Sequence, residues 1–115
     1  MTSNDAVLLT TAYLRAFDLS GWKVKVIERF TAKTLSHLIG YCEEPDRTLW
    51  LTHRGIQDDA KARDLIMHEV AHALQPAEQF YDESAAHGPD FEKALERVRE
   101  MNVIGAVSRT QVPTS

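Results

Sequence analysis

The sequence predicts an α+β domain: helices packed on a small, three-stranded antiparallel sheet. Three observations carry that expectation. Segments 3–21, 57–76 and 88–102 repeat their apolar residues at near-helical spacing. Segments 22–30, 36–44 and 48–54 alternate, or run apolar, over strand lengths. The links between those three strands are short, which makes an antiparallel meander the simplest topology.

The first helix is expected over "SNDAVLLTTAYLRAFDLSG", with Ser3 or Asn4 as cap and Asp5 at the positive end of the dipole. Val7, Leu8, Tyr13, Leu14 and Phe17 form its apolar series, and Gly21 is the stop signal. In "WKVKVIERF", Trp22, Val24 and Val26 take one face of a strand and Lys23 and Lys25 the other. "SHLIGYCEE" is the second strand, with Gly40 marking a bulge. The turn "EEPDR" leads to the third strand, "TLWLTHR", in which Leu49 and Leu51 face away from Trp50 and Thr52.

The second long helix is "QDDAKARDLIMHEVAHALQP", favoured at its start by Asp58 and Asp59 and stopped by Pro76. Its buried stripe is Ile66, Val70, Ala73 and Leu74. A loop over 77–88 precedes the last helix, "GPDFEKALERVREMN", with Pro89 in its first turn and Phe91, Leu95 and Val98 inward. Residues 1–104 are read as one domain and 105–115 as a loose tail without periodicity.

Composition narrows the function. The 115 residues suit one domain able to bury a core without staples. A net charge of −4 does not support a dedicated nucleic-acid surface. The single cysteine, Cys42, excludes an internal disulfide and a zinc ribbon. No segment is apolar over bilayer length, and the N-terminal stretch lacks the features of a signal peptide. The expected location is therefore cytoplasmic, with no membrane partner.

The chemistry concentrates in "HEVAHALQPAEQFYDESAAHGPDF", residues 68–91. His68 and His72 stand four apart, so a helix places both imidazoles on one face, where they can share a metal ion. Glu69 lies about 100° around the helix from His68, flanking the ion as a general base for its water. With five His and nine Glu in the chain, a shuffled sequence would give this pattern about two times in a hundred. A catalytic zinc needs a third protein ligand and an open position. His87, fifteen residues after His72, is the leading candidate, with Asp82, Glu83, Asp90 and Glu92 as carboxylate alternatives. His37 and His53 read as solvated strand residues, Cys42 as a small strand residue, and Tyr81 as a packed loop tyrosine.

"HEVAHAL" followed by "HGPDF" resembles the SprT-like (Spartan-type) zinc metallopeptidase domain, and "IGYCEEPDRTLWLT" is similar to its glycine-containing strand and the strand after it. The resemblance spans roughly positions 22 to 100. It implies a minimal zincin-like fold, zinc ligands His68, His72 and His87, and Glu69 as general base in an endopeptidase acting on protein or peptide substrates. Some relatives clear proteins crosslinked to DNA, but this chain lacks their zinc ribbon and basic tail. It looks closer to small stand-alone bacterial or phage members. The competing expectation is a non-catalytic zinc-binding interaction module of the same fold, with a fourth protein ligand closing the site.

Overall fold

The computed structural model describes residues 1–19, 21–75 and 87–101. The expected stop at Pro76, Tyr81, Asp82, Glu83 and the tail 105–115 lie outside the described residues. The described elements are α1 (Ser3–Ala16), β1 (Lys23–Ile27), β2 (Gly40–Glu43), β3 (Thr48–Thr52), a 3₁₀ turn (Arg54–Ile56), α2 (Asp59–Leu74) and α3 (Pro89–Glu100). The class is α+β, as expected.

α1 starts at a cap one residue earlier than expected. The Thr2 hydroxyl, not that of Ser3 or the side chain of Asn4, accepts from the Asp5 amide at 3.1 Å. The helix also ends before Gly21. Asp18 takes the left-handed conformation (φ 58°), its amide donating to Arg15 and that of Leu19 to Leu14. This is a Schellman closure, in which aspartate stands in for the usual glycine. The buried stripe is Ala6, Leu9, Thr10, Tyr13 and Leu14, at helical intervals, while Leu8 is exposed. Thr10 can be buried because its hydroxyl donates to the Ala6 carbonyl at 2.7 Å.

The sheet departs from the expected meander. Its order is β1-β3-β2, with β2 antiparallel to β3 but β1 parallel to β3. The sheet is therefore mixed rather than antiparallel. Four residues, 44–47, join β2 to β3, and a link that short forces antiparallel neighbours. Twelve residues, 28–39, separate β1 from β2, enough for the chain to leave one edge and return at the other. Arg47, with φ 48°, turns the β2–β3 corner. Gly40 pairs in register with Leu51 and continues a regular ladder, so it is not a bulge.

The strand faces fall as the alternation predicts. Val24, Leu49 and Cys42 are cross-strand neighbours, as are Val26, Leu51 and Gly40, and this face meets the helices. Leu49 and Leu51 are fully buried. Lys25, Trp50 and Tyr41 align on the opposite face. α2 packs on the sheet, on α1 and on α3, with Ile66, Val70 and Ala71 at its buried centre. Its cap is Asp58, whose carboxylate accepts from the Lys61 amide at 2.9 Å. Gly55, in the 3₁₀ turn, lets α2 approach closely. A Cβ there would lie 2.7 Å from Leu65 Cδ2 and 2.8 Å from the Ile39 carbonyl oxygen.

Candidate metal centre

α2 presents His68 and His72 one turn apart, and His87 reaches them from two residues before α3. The Nε2 atoms of His68 and His72 lie 3.1 Å apart, and those of His68 and His87 3.4 Å apart. One ligand atom from each histidine falls within 4.8 Å of the other two, so the trio could hold a metal ion. His68 and His72 are half-buried and His87 is exposed, which leaves the cluster open to solvent on one side. Among the described residues, neither His37, His53, Asp90 nor Glu92 joins this group.

The three rings share a floor. Phe91, one turn into α3 and 3 % exposed, has its ring centroid 4.9 Å from His68, 4.6 Å from His72 and 4.9 Å from His87. α3 forms where it does because Pro89 occupies its first turn and Asp90 and Glu92 favour its N-terminus. The apolar spacing Phe91, Ala94, Leu95 and Val98 then buries one face against α2. The same packing therefore fixes α3 and positions His87.

His72 is oriented by a residue that the sequence reading passed over. Gln75 Oε1 accepts from His72 Nδ1 at 2.6 Å. That bond leaves the Nε2 lone pair of His72 directed to the cluster. A hydrogen bond behind a ligand nitrogen is how protein sites fix imidazole tautomers. The legible signal was spacing, since Gln75 is three residues after His72 on the same helix face.

Electrostatics follow from burial. Desolvation, with smaller contributions from His72 and His87, pushes His68 down to about 4. Burial also lowers His72, opposed by its Gln75 hydrogen bond and reinforced by His87. Both imidazoles therefore offer lone pairs at neutral pH without first shedding a proton. Glu69 is 5 % exposed, and burial pushes its carboxyl up to about 8. It lies against the backbone of β2: a Cβ on Gly40 would come within 3.0 Å of Glu69 Oε2 and 2.7 Å of Leu65 Cδ1. The absent side chain at Gly40 thus admits the carboxyl, a role that spacing along the sequence does not reveal. Cys42 is half-buried, and burial, Glu69 and Glu44 all raise its thiol, so it is no nucleophile at neutral pH.

The chain belongs to the SprT-like family, whose model matches residues 8–114. That match extends beyond the 22–100 stretch in which the sequence resemblance was visible. No curated protein and no solved structure matches the chain.

Two outcomes test this geometry. Phe91→Ala is expected to cost ~3–5 kcal/mol, the usual range for a buried phenylalanine, and to weaken metal binding by releasing His87. A melt and a metal affinity both at wild-type values would contradict it. The second outcome concerns the metal-free chain. The Glu69 carboxyl is raised from 4.5 to about 8 in the folded state. Its contribution to stability is therefore present below pH 4.5 and lost as pH rises to 8. Metal-free Glu69→Gln should gain on wild type over that window, by on the order of 1–3 kcal/mol between pH 5 and 8. The lowered His68 acts oppositely, losing stability as pH falls from 6.5 towards 4, but it is common to both proteins. A stability difference that does not change with pH in paired denaturant melts would show that Glu69 is not desolvated.

Proposed function

We propose that this chain is a zinc-dependent endopeptidase with a zincin-like architecture, holding zinc through His68, His72 and His87 and using Glu69 as general base. One observation carries the reading: three imidazoles cluster around α2, and Glu69, the residue after the first of them, is buried with its carboxyl against an edge strand. The donor set suits zinc. Tetrahedral Zn–N bonds of about 2.0–2.1 Å require nitrogens about 3.3 Å apart, and two of the spacings here are 3.1 and 3.4 Å. When bound, zinc supplies Lewis acidity, polarising a carbonyl and making water acidic near neutral pH.

The protein's own groups do the rest. Glu69 takes the proton of the attacking water and delivers it to the departing amine. A divalent cation held by the three histidines would favour the ionised, proton-accepting form of the Glu69 carboxyl. Gln75 holds His72 in the ligating tautomer, and Phe91 excludes water beneath the rings. The free edge of β2 pairs with no strand among the described residues, and an extended polypeptide can add there through main-chain hydrogen bonds. The alternative, a binding module with a structural zinc, needs a fourth protein ligand, and among the described residues no further His, Cys, Asp or Glu joins the three histidines.

The decisive comparison is turnover of a reduced, unfolded protein by zinc-loaded wild type and Glu69→Gln, with metal content measured in both. Glu69→Gln should keep its zinc and lose ~10²–10⁴-fold in rate, the range for removing a general base. Equal, robust turnover by the two proteins would contradict the assignment of Glu69. A zinc-loaded wild type that cleaves nothing across a broad panel of unfolded proteins would favour the binding module.

A further inference from the structure

The sheet face turned away from the helices carries a groove that the metal cluster does not use. It has a volume of about 270 Å³, with Phe30, Leu35, Tyr41, Glu43, Trp50 and Arg29 among its lining. That is below the roughly 300–1,000 Å³ of sites for whole small molecules, and it suits a single large side chain. Tyr41 and Glu43 belong to β2, the edge strand whose other face meets α2. Side chains of an extended segment alternate between the two faces of a sheet. A polypeptide paired to the free edge of β2 would therefore send one set of side chains towards the Glu69 side and the other towards this groove.

We propose that the groove is a specificity subsite for an aromatic side chain flanked by acidic residues in an extended polypeptide. The identity of the occupant as polypeptide rests on the peptidase reading. The aromatic preference comes from the walls: Phe30 and Tyr41 stand edge-to-face, with centroids 6.3 Å apart and planes at 78°, and Trp50 shares the groove. The acidic preference comes from charge. Lys25 lies 5.3 Å from the Trp50 ring centroid, Arg29 lines the groove, and neither has a carboxylate partner among the described residues. The one carboxylate present, Glu43, accepts a hydrogen bond from the Trp50 indole at 3.2 Å. Single-stranded nucleic acid, which also takes aromatic and cationic surfaces, fits less well. Stacking needs open ring faces, whereas Phe30 is 9 % exposed and Lys25 lies over Trp50.

The test uses the full chain carrying Glu69→Gln, so that binding is read without cleavage. A blocked hexapeptide with one central phenylalanine between aspartates is titrated while NMR follows the Trp50 indole N–H and the Tyr41 amide. Saturable shifts of both signals are expected. Replacing the phenylalanine by alanine should weaken binding about tenfold, and Arg29→Glu should weaken it about fivefold and flatten its salt dependence. Equal binding of the alanine peptide, no saturation up to about 5 mM, or tighter binding of an oligothymidylate at the same signals would overturn the proposal. Turnover of unfolded protein by the wild-type chain is scored separately. Turnover with a groove indifferent to phenylalanine refutes the subsite and leaves the peptidase reading intact. Phenylalanine-selective binding in a chain that shows no turnover supports the subsite and refutes the peptidase reading.

Discussion

One helix has to satisfy three environments at once, and the rest of the molecule is arranged around that constraint. α2 buries Ile66, Val70 and Ala71 in the core, packs on α3, and still presents His68 and His72 half-exposed. The contact that reconciles these demands is its close approach to β2. Leu65 and Glu69 press against Gly40, and Leu65 also presses against Gly55. Because neither glycine carries a Cβ, the helix can lie near enough to the sheet for a carboxyl to reach the edge strand. A methyl group at either position would meet the same leucine at 2.7 Å. The local choice of glycine, the packing of the sheet layer and the placement of Glu69 are thus one arrangement.

Burial on that helix also sets the electrostatics. A carboxyl and two imidazoles are drawn into a partly dehydrated site, and each responds by favouring its neutral form. For the imidazoles, the neutral form is also the one able to ligate a cation. Phe91 strengthens the effect by covering the rings from below, so that the cluster meets solvent mainly through His87.

Much of this was legible from the residues. The helical spacing of Phe91, Leu95 and Val98 and the alternation in β1 and β3 placed those residues on the faces they occupy. The four-residue separation of His68 and His72 predicted their meeting, and His87 joins them across fifteen further residues. The sheet topology was not legible. Strand order depends on whether a twelve-residue link turns back beside β1 or crosses to the far edge, and local composition does not encode that choice. The α1 stripe was misread at Leu8 because hydrophobicity alone ignores Thr10, which is buried once its hydroxyl finds a backbone carbonyl. Gly40 read as a bulge because its actual constraint, a side chain arriving from α2, is remote in sequence.

The central claim is that three imidazoles and no other protein group hold one zinc. Zinc-edge X-ray absorption of the purified chain, loaded with one equivalent, tests it most directly. The account predicts three imidazole nitrogens at about 2.0–2.1 Å, one further oxygen at about the same distance and no sulfur. Sulfur scattering from Cys42, only two imidazoles, or no zinc retained on desalting would contradict it.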